Sequence, residues 1–199
     1  MPTPPDFNVG GILTAAQMDA IGFWRVSPTS VTNGTLNSDG SVTIGSAQSS
    51  VLLSGCFTST YKWYRVVIDS VTMSSNSRAT IVYCKLSASG TPASSAYHWG
   101  IPRVDLANGT VSSWYGQNNV NGCQIGTGLG DKFGALFDVG MPQVSTHTVF
   151  ANINCPNDST GYAGSGSGLH QNTASYDGFQ IAVSAGTMTG GTIRVYGYN

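Results

Sequence analysis

The chain predicts an all-β fold, an antiparallel β-sandwich of jelly-roll type preceded by a short N-terminal arm and one helix. Three observations carry that expectation. From Trp24 onward, apolar and polar residues alternate in short stretches, the pattern of half-buried strands. These stretches are punctuated by Asn33-Gly34, Asp39-Gly40, Asn108-Gly109 and Asn121-Gly122, dipeptides that accept the left-handed dihedrals of type I′ hairpin turns. The composition joins 26 glycines to a charged fraction of only 9%, which suits turns and hydroxyl-rich strands better than helices.

Residues 1–24 divide from residues 25–199, which are expected to form a single sandwich domain. Pro2-Thr-Pro-Pro5 has neither helix nor sheet propensity and reads as an extended arm. The helix is expected at Thr14–Ile21. Thr14 and Gln17 make a capping box, Leu13 and Met18 take the staple positions, and Gly22 stands at C′. About two turns are too few to be stable alone, so Leu13, Met18 and Ile21 must dock on their own sheet or on a neighbouring protein.

Strands are then expected at 26–31, 41–54, 63–73, 79–88, 98–104, 110–115, 133–139, 146–153, 179–184 and 192–198. In the third, Tyr64, Val66 and Ile68 share one face and Val67, Asp69 and Val71 the other, which predicts a central or subunit-covered strand. Gly161–Gly168 reads as a flexible loop by composition; it lacks the Gly-Lys-Ser/Thr ending of a phosphate loop. Phe179, Ile181, Val183, Ile193 and Val195 supply core positions to the two closing strands, so this end of the chain is expected to be tied into a sheet.

A length of 199 residues with 40% hydrophobic residues can bury a core, while net charge −1, eight basic residues scattered along the chain and no glutamate leave a nearly neutral exterior. Such a surface has no clustered cations for nucleic acid or an anionic membrane. No run reaches membrane-spanning length, and no export signal is expected from Met1-Pro-Thr-Pro-Pro-Asp6. Cys56, Cys84, Cys123 and Cys155 are widely spaced and read as reduced, buried thiols.

No catalytic, metal or cofactor site is expected. Asp39, Asp105, Asp158 and Asp177 occur in turn contexts, and Asp138 is the carboxylate expected to be partly buried and paired. His98, His147 and His170 show no ligand spacing; Asn152, Asn154, Asn157 and Asp158 only suggest calcium. Sugar recognition is the more plausible chemistry, because an aromatic face stacks on a sugar ring while neutral amides and hydroxyls satisfy its OH groups. Trp114, Tyr115, Asn118 and Asn119 offer that mixture in an expected loop, with Trp99 nearby. Core packing of the same aromatics is the competing reading.

Three segments resemble one family. Tyr176-Asp-Gly-Phe-Gln-Ile181 with Gly186-Thr-Met-Thr-Gly-Gly-Thr-Ile-Arg-Val-Tyr-Gly-Tyr198, the leader Asp6–Gly22, and Phe57-Thr-Ser-Thr-Tyr-Lys-Trp-Tyr-Arg-Val-Val-Ile-Asp69 together cover about a quarter of the chain. They resemble, in the same order, the virion structural proteins of tailed bacteriophages described as minor tail or tail-fibre proteins. A basic residue usually follows the family's last tyrosine; Asn199 departs from that.

The resemblance implies a non-enzymatic virion protein, assembled in the host cytoplasm, with other virion proteins as partners, a homotrimeric state and attachment to the host surface, for which the loop aromatics suggest a surface glycan as ligand. Phe7, Leu13, Met18, Ile21, Phe23 and Trp24 are then the docking candidates. A head-decoration or collar protein, or a free carbohydrate-binding module, are the alternatives.

Overall fold

The computed structural model describes residues 22–74, 80–105, 108–119, 121–127, 133–156 and 162–199. The expected helix, with Phe7, Leu13, Met18 and Ile21, lies outside these residues, as do Asn157 and Asp158. Every regular element described is a strand. They are β1 (Trp24–Val26), β2 (Ser30–Thr32), β3 (Gly34–Leu36), β4 (Val42–Ile44), β5 (Ser50–Ser54), β6 (Trp63–Met73), β7 (Ile81–Ala88), β8 (Thr91–Pro92) and β9 (Tyr97–Asp105). The chain continues with β10 (Val111–Asn119), β11 (Cys123–Thr127), β12 (Phe133–Gly140), β13 (Thr148–Pro156), β14 (Tyr162–His170), β15 (Gly178–Val183), β16 (Met188–Thr189) and β17 (Thr192–Tyr198).

All pairings are antiparallel. The larger sheet runs β10-β9-β14-β13-β12-β6-β17-β4-β3, with β1 also on β17 and β16 on β6; the smaller runs β11-β7-β15-β5-β2, with β8 on β7. One core lies between them, consistent with a sandwich. Tyr64, Val66, Phe137, Val139 and Phe150 enter it from the larger sheet and Leu53, Cys84, Leu86, Phe179 and Ile181 from the smaller. Phe57 bridges the layers, 4.8 Å from the Tyr64 ring and 5.6 Å from Phe179. The Tyr64 hydroxyl in turn accepts from Thr58 N at 2.7 Å, fixing the loop that carries Phe57.

The expected strand at 63–73 is β6, and it is central, between β12 and β17. Its faces differ from the simple alternation. Ser70 has φ 57°, and the register slips by one between the Ala135–Ile68 and Phe133–Val71 pairs. This bulge returns Val71 to the core face instead of leaving it with Val67 and Asp69.

The expected strand at 41–54 is two strands in different sheets, β4 and β5, and that at 26–31 is likewise divided into β1 and β2. Asp39-Gly40 closes the β3–β4 hairpin and Asn108-Gly109 the β9–β10 hairpin. Asn33-Gly34 and Asn121-Gly122 instead stand where the chain crosses from one sheet to the other. A left-handed residue turns the backbone equally well into a hairpin or a corner, so the dipeptide alone does not distinguish them.

Gly161–Gly168 is corrected more deeply, because residues from Tyr162 on form β14, paired on both edges with β9 and β13. Its glycines alternate with serines. Gly164 pairs with Arg103 and Gly168 with Trp99, on the core-facing side, while Ser167 pairs with Gly100 on the outer side. A side chain on Gly166 would place Cβ 2.2 Å from the Gly100 carbonyl oxygen and 2.8 Å from Ile101 Cγ1. Glycine is therefore required where β9 leans its large residues over β14. Gly166→Ala should cost about 2–3 kcal/mol in a urea titration, whereas Ser165→Ala on the outer side should stay within about 0.5 kcal/mol; a flexible loop would absorb both methyl changes.

Candidate functional site

Residues paired in register share a face, so the outer surface of the larger sheet can be read directly. Across β10, β9 and β14 one rung is Tyr115, Gly100 and Ser167. Tyr115 is 73% exposed. At Gly100 there is no side chain, and a Cβ built there would meet nothing within 4 Å. A shallow trough follows this rung over four strands, with sections of about 770 and 600 Å³ that share Gly100, Tyr115 and Ser167. Ser113, Pro102, Ser165, Ala151 and Asn152 border one section, and Gln117, His98, Leu169 and Val149 the other. The described lining residues include no aspartate, lysine or arginine.

The expected aromatic site is divided by strand alternation. Residues 114–119 belong to β10 rather than to a loop. Tyr115 faces the trough. Trp114 pairs with Ile101 on the opposite side, where the Arg103 guanidinium lies 3.7 Å from its ring centroid. Trp99 is 8% exposed and belongs to the core, so neither indole joins Tyr115 in a common stacking surface. Asn118 adopts φ 49° and its Oδ1 accepts from Ala96 N at 3.2 Å, a structural bond at the end of the trough. Asn119 pairs with Tyr97 in the backbone register. The sequence pointed to neither the serines nor Gly100, and to Asn152 only for calcium; the Gly-Ser alternation of 164–168 was the signal that could have placed Ser165 and Ser167 on one strand face.

Beyond Asn152 the same face carries a second cluster. Arg65 Nε donates to Asp138 Oδ1 at 2.8 Å and Nη2 to Oδ2 at 2.9 Å, and Asn152 Nδ2 donates to Oδ2 at 2.6 Å. Asp138 is fully buried although it points away from the core. Burial alone raises its carboxyl, but hydrogen bonds from Arg65, Asn152 and Tyr198 more than offset that and hold it below the ordinary 3.8. The group is thus an ionised structural anchor, as paired strand aspartates generally are. Phe23 packs edge-on against Tyr198 at 4.8 Å and under the Arg65 guanidinium at 4.5 Å. Trp24 pairs with Gly197. Of the docking candidates, then, Phe23 lies on the outer face and stays 49% exposed, while Trp24, in register with Gly197 and through it with Tyr64, lies on the core-facing side.

Inside the sandwich, His170 is fully buried. Its Nδ1 lies 3.1 Å from the Tyr176 hydroxyl and its Nε2 3.0 Å from the Ser95 carbonyl oxygen. Desolvation lowers its pKa below 6.5 despite the Ser95 contact. Cys56, Cys84 and Cys123 are buried as thiols, and burial raises the first two well above ordinary values. Among the described residues no three His, Cys, Asp or Glu groups converge as metal ligands would.

Compared with models of known protein families the chain matches none, and characterised protein sequences show no significant similarity to it.

Two pH effects of opposite chemistry follow. Asp138 is held below 3.8, so its stabilisation is present at neutral pH and is lost as pH falls through the depressed folded value. Asp138→Asn should cost about 2 kcal/mol at neutral pH and remove this acid-range loss. His170 is held neutral, so the unfolded chain takes up protons first and stability declines as pH falls from 6.5 toward the lowered folded value. His170→Gln should flatten that slope. Thermal melts over about pH 3 to 8 read both effects.

Proposed function

We propose that this chain is a non-enzymatic structural protein of a tailed-phage virion, a minor tail or tail-tip component with a jelly-roll sandwich. It docks through residues 1–24 and turns the outer face of its larger sheet toward the host surface. One observation carries the reading: the segments that resemble the phage family meet in one structural unit. Seven consecutive pairs, Asp69–Thr192 through Trp63–Tyr198, join β6 to β17, and β1, which directly follows the leader-like segment, lies on β17 as well. Strands distant in sequence that resemble one family and pair with each other support a shared architecture better than isolated motifs do.

Surface chemistry supports the assembly part. A net charge of −1 gives copies little mutual repulsion, and Phe23 and Val111 expose apolar surface on the larger sheet. A homotrimer on the particle would hold several outer faces together, and weak contacts then gain by avidity.

The test is mass spectrometry and immuno-electron microscopy of purified particles of the phage that encodes the chain. The protein should be found at the tail; labelling at the head or collar would move the docking site, and absence from particles would overturn the reading. Deleting residues 1–21 spares β1 and should leave the melting temperature within a few degrees while reducing incorporation about tenfold or more.

A further inference from the structure

We infer that the trough over β10, β9, β14 and β13 is a binding site for an uncharged glycan chain, with one sugar ring stacked on Tyr115 and seated over Gly100. The inference rests on the reading of the outer face as host-facing and adds the ligand class.

Gly100 is the leading observation. A glycine inside a strand weakens it relative to a residue with a side chain, and it is ordinarily retained for a left-handed dihedral, a crowded neighbour or the close approach of another molecule. Gly100 has no left-handed φ, and nothing lies within 4 Å of a Cβ placed there. Backbone strain and internal packing are thereby excluded as its reasons, in contrast to Gly166. What the missing side chain creates is the open floor of the trough.

Tyr115 is the second observation. It stands beside that floor on the neighbouring strand, 73% exposed, where the fold draws little from so large a ring. Aromatic faces exposed beside a polar cleft suit the apolar face of a sugar. The remaining lining supplies neutral hydrogen-bonding groups, the hydroxyls of Ser113, Ser165 and Ser167 and the amide of Asn152. Asn152 is held by its bond to Asp138, so that it is oriented before any ligand arrives. Four strands at ordinary spacing span about 14 Å, room for a short run of rings. The absence of Asp, Lys and Arg from the described lining selects against anionic polymers, which would lose hydration without gaining a counter-charge.

The test uses the full chain in titration calorimetry and affinity electrophoresis with dextran, mannan, galactan and chitin oligomers, and with alginate as the anionic control. At least one neutral polymer should bind and alginate should not. Tyr115→Ala and Gly100→Val should each weaken binding about tenfold or more, with the melting temperature unchanged for the first and unchanged or raised for the second. If Gly100→Val misfolds, the exposed Tyr115→Ala still decides. Binding to none of the neutral polymers, or binding indifferent to these substitutions, overturns the inference. So does concentration-dependent self-association abolished by Gly100→Val without any glycan bound, which would make this face a homotypic interface. Particle analysis fails separately: a protein in virions that binds no glycan overturns only this inference, and a glycan binder absent from virions overturns only the virion reading.

Discussion

The buried ion pair between Arg65 and Asp138 organises the outer side of the larger sheet. Arg65 sits on β6 and Asp138 on β12, directly opposite each other, and Asn152 from β13 and Tyr198 from β17 complete the carboxylate's partners. Removing a carboxylate from water is costly unless donors surround it, and here three neighbouring strands supply them to Asp138 on β12. A one-residue slip of β6 would carry Arg65 into the apolar core and Tyr64 out of it. The pair thus fixes the register of the central strands from outside while Tyr64, Val66 and Phe137 fix it from within.

That anchor reaches the trough through a single residue. Asn152 has φ 50° at a register shift in β13, a conformation that asparagine accepts more readily than most side chains. Its amide is drawn toward Asp138 on one side and borders the trough on the other. Large, interlocked side chains occupy the half of the face near β6 and β17; around Gly100 they give way to the small residues Ser165, Ser167 and Ala151. A flat pleated sheet thereby acquires a depression without any loop folding over it.

The buried ionisable groups Asp138 and His170 are both engaged within the fold. Asp138, the most buried carboxylate, is already saturated with partners, and His170 is enclosed beneath the sheet between Tyr97 and Tyr176. What remains accessible along the trough is neutral. In the proposed role, recognition would rest on shape, stacking and avidity, for which a rigid sheet is a suitable support.

The sequence by itself determined the fold class, the central strand and the closing strands. In Trp63–Asp69, before the Ser70 bulge, and in Thr192–Tyr198 the side-chain period of two is a local property, legible without any partner. It also marked Asp138 as the carboxylate to be buried and paired. It did not reveal that Asn33-Gly34 turns a corner while Asp39-Gly40 closes a hairpin, because each supplies one left-handed residue, Asn33 in the first and Gly40 in the second, and the outcome depends on where the next strand finds hydrogen bonds. Nor did composition distinguish the glycine-serine alternation of β14 from a flexible loop, since glycine is selected there by side chains of β9 more than sixty residues away. Only the tertiary structure decided which face each aromatic takes: register between β9 and β10 sends Trp99 and Trp114 to one side and Tyr115 to the other, and the same register places Gly100 beside Tyr115.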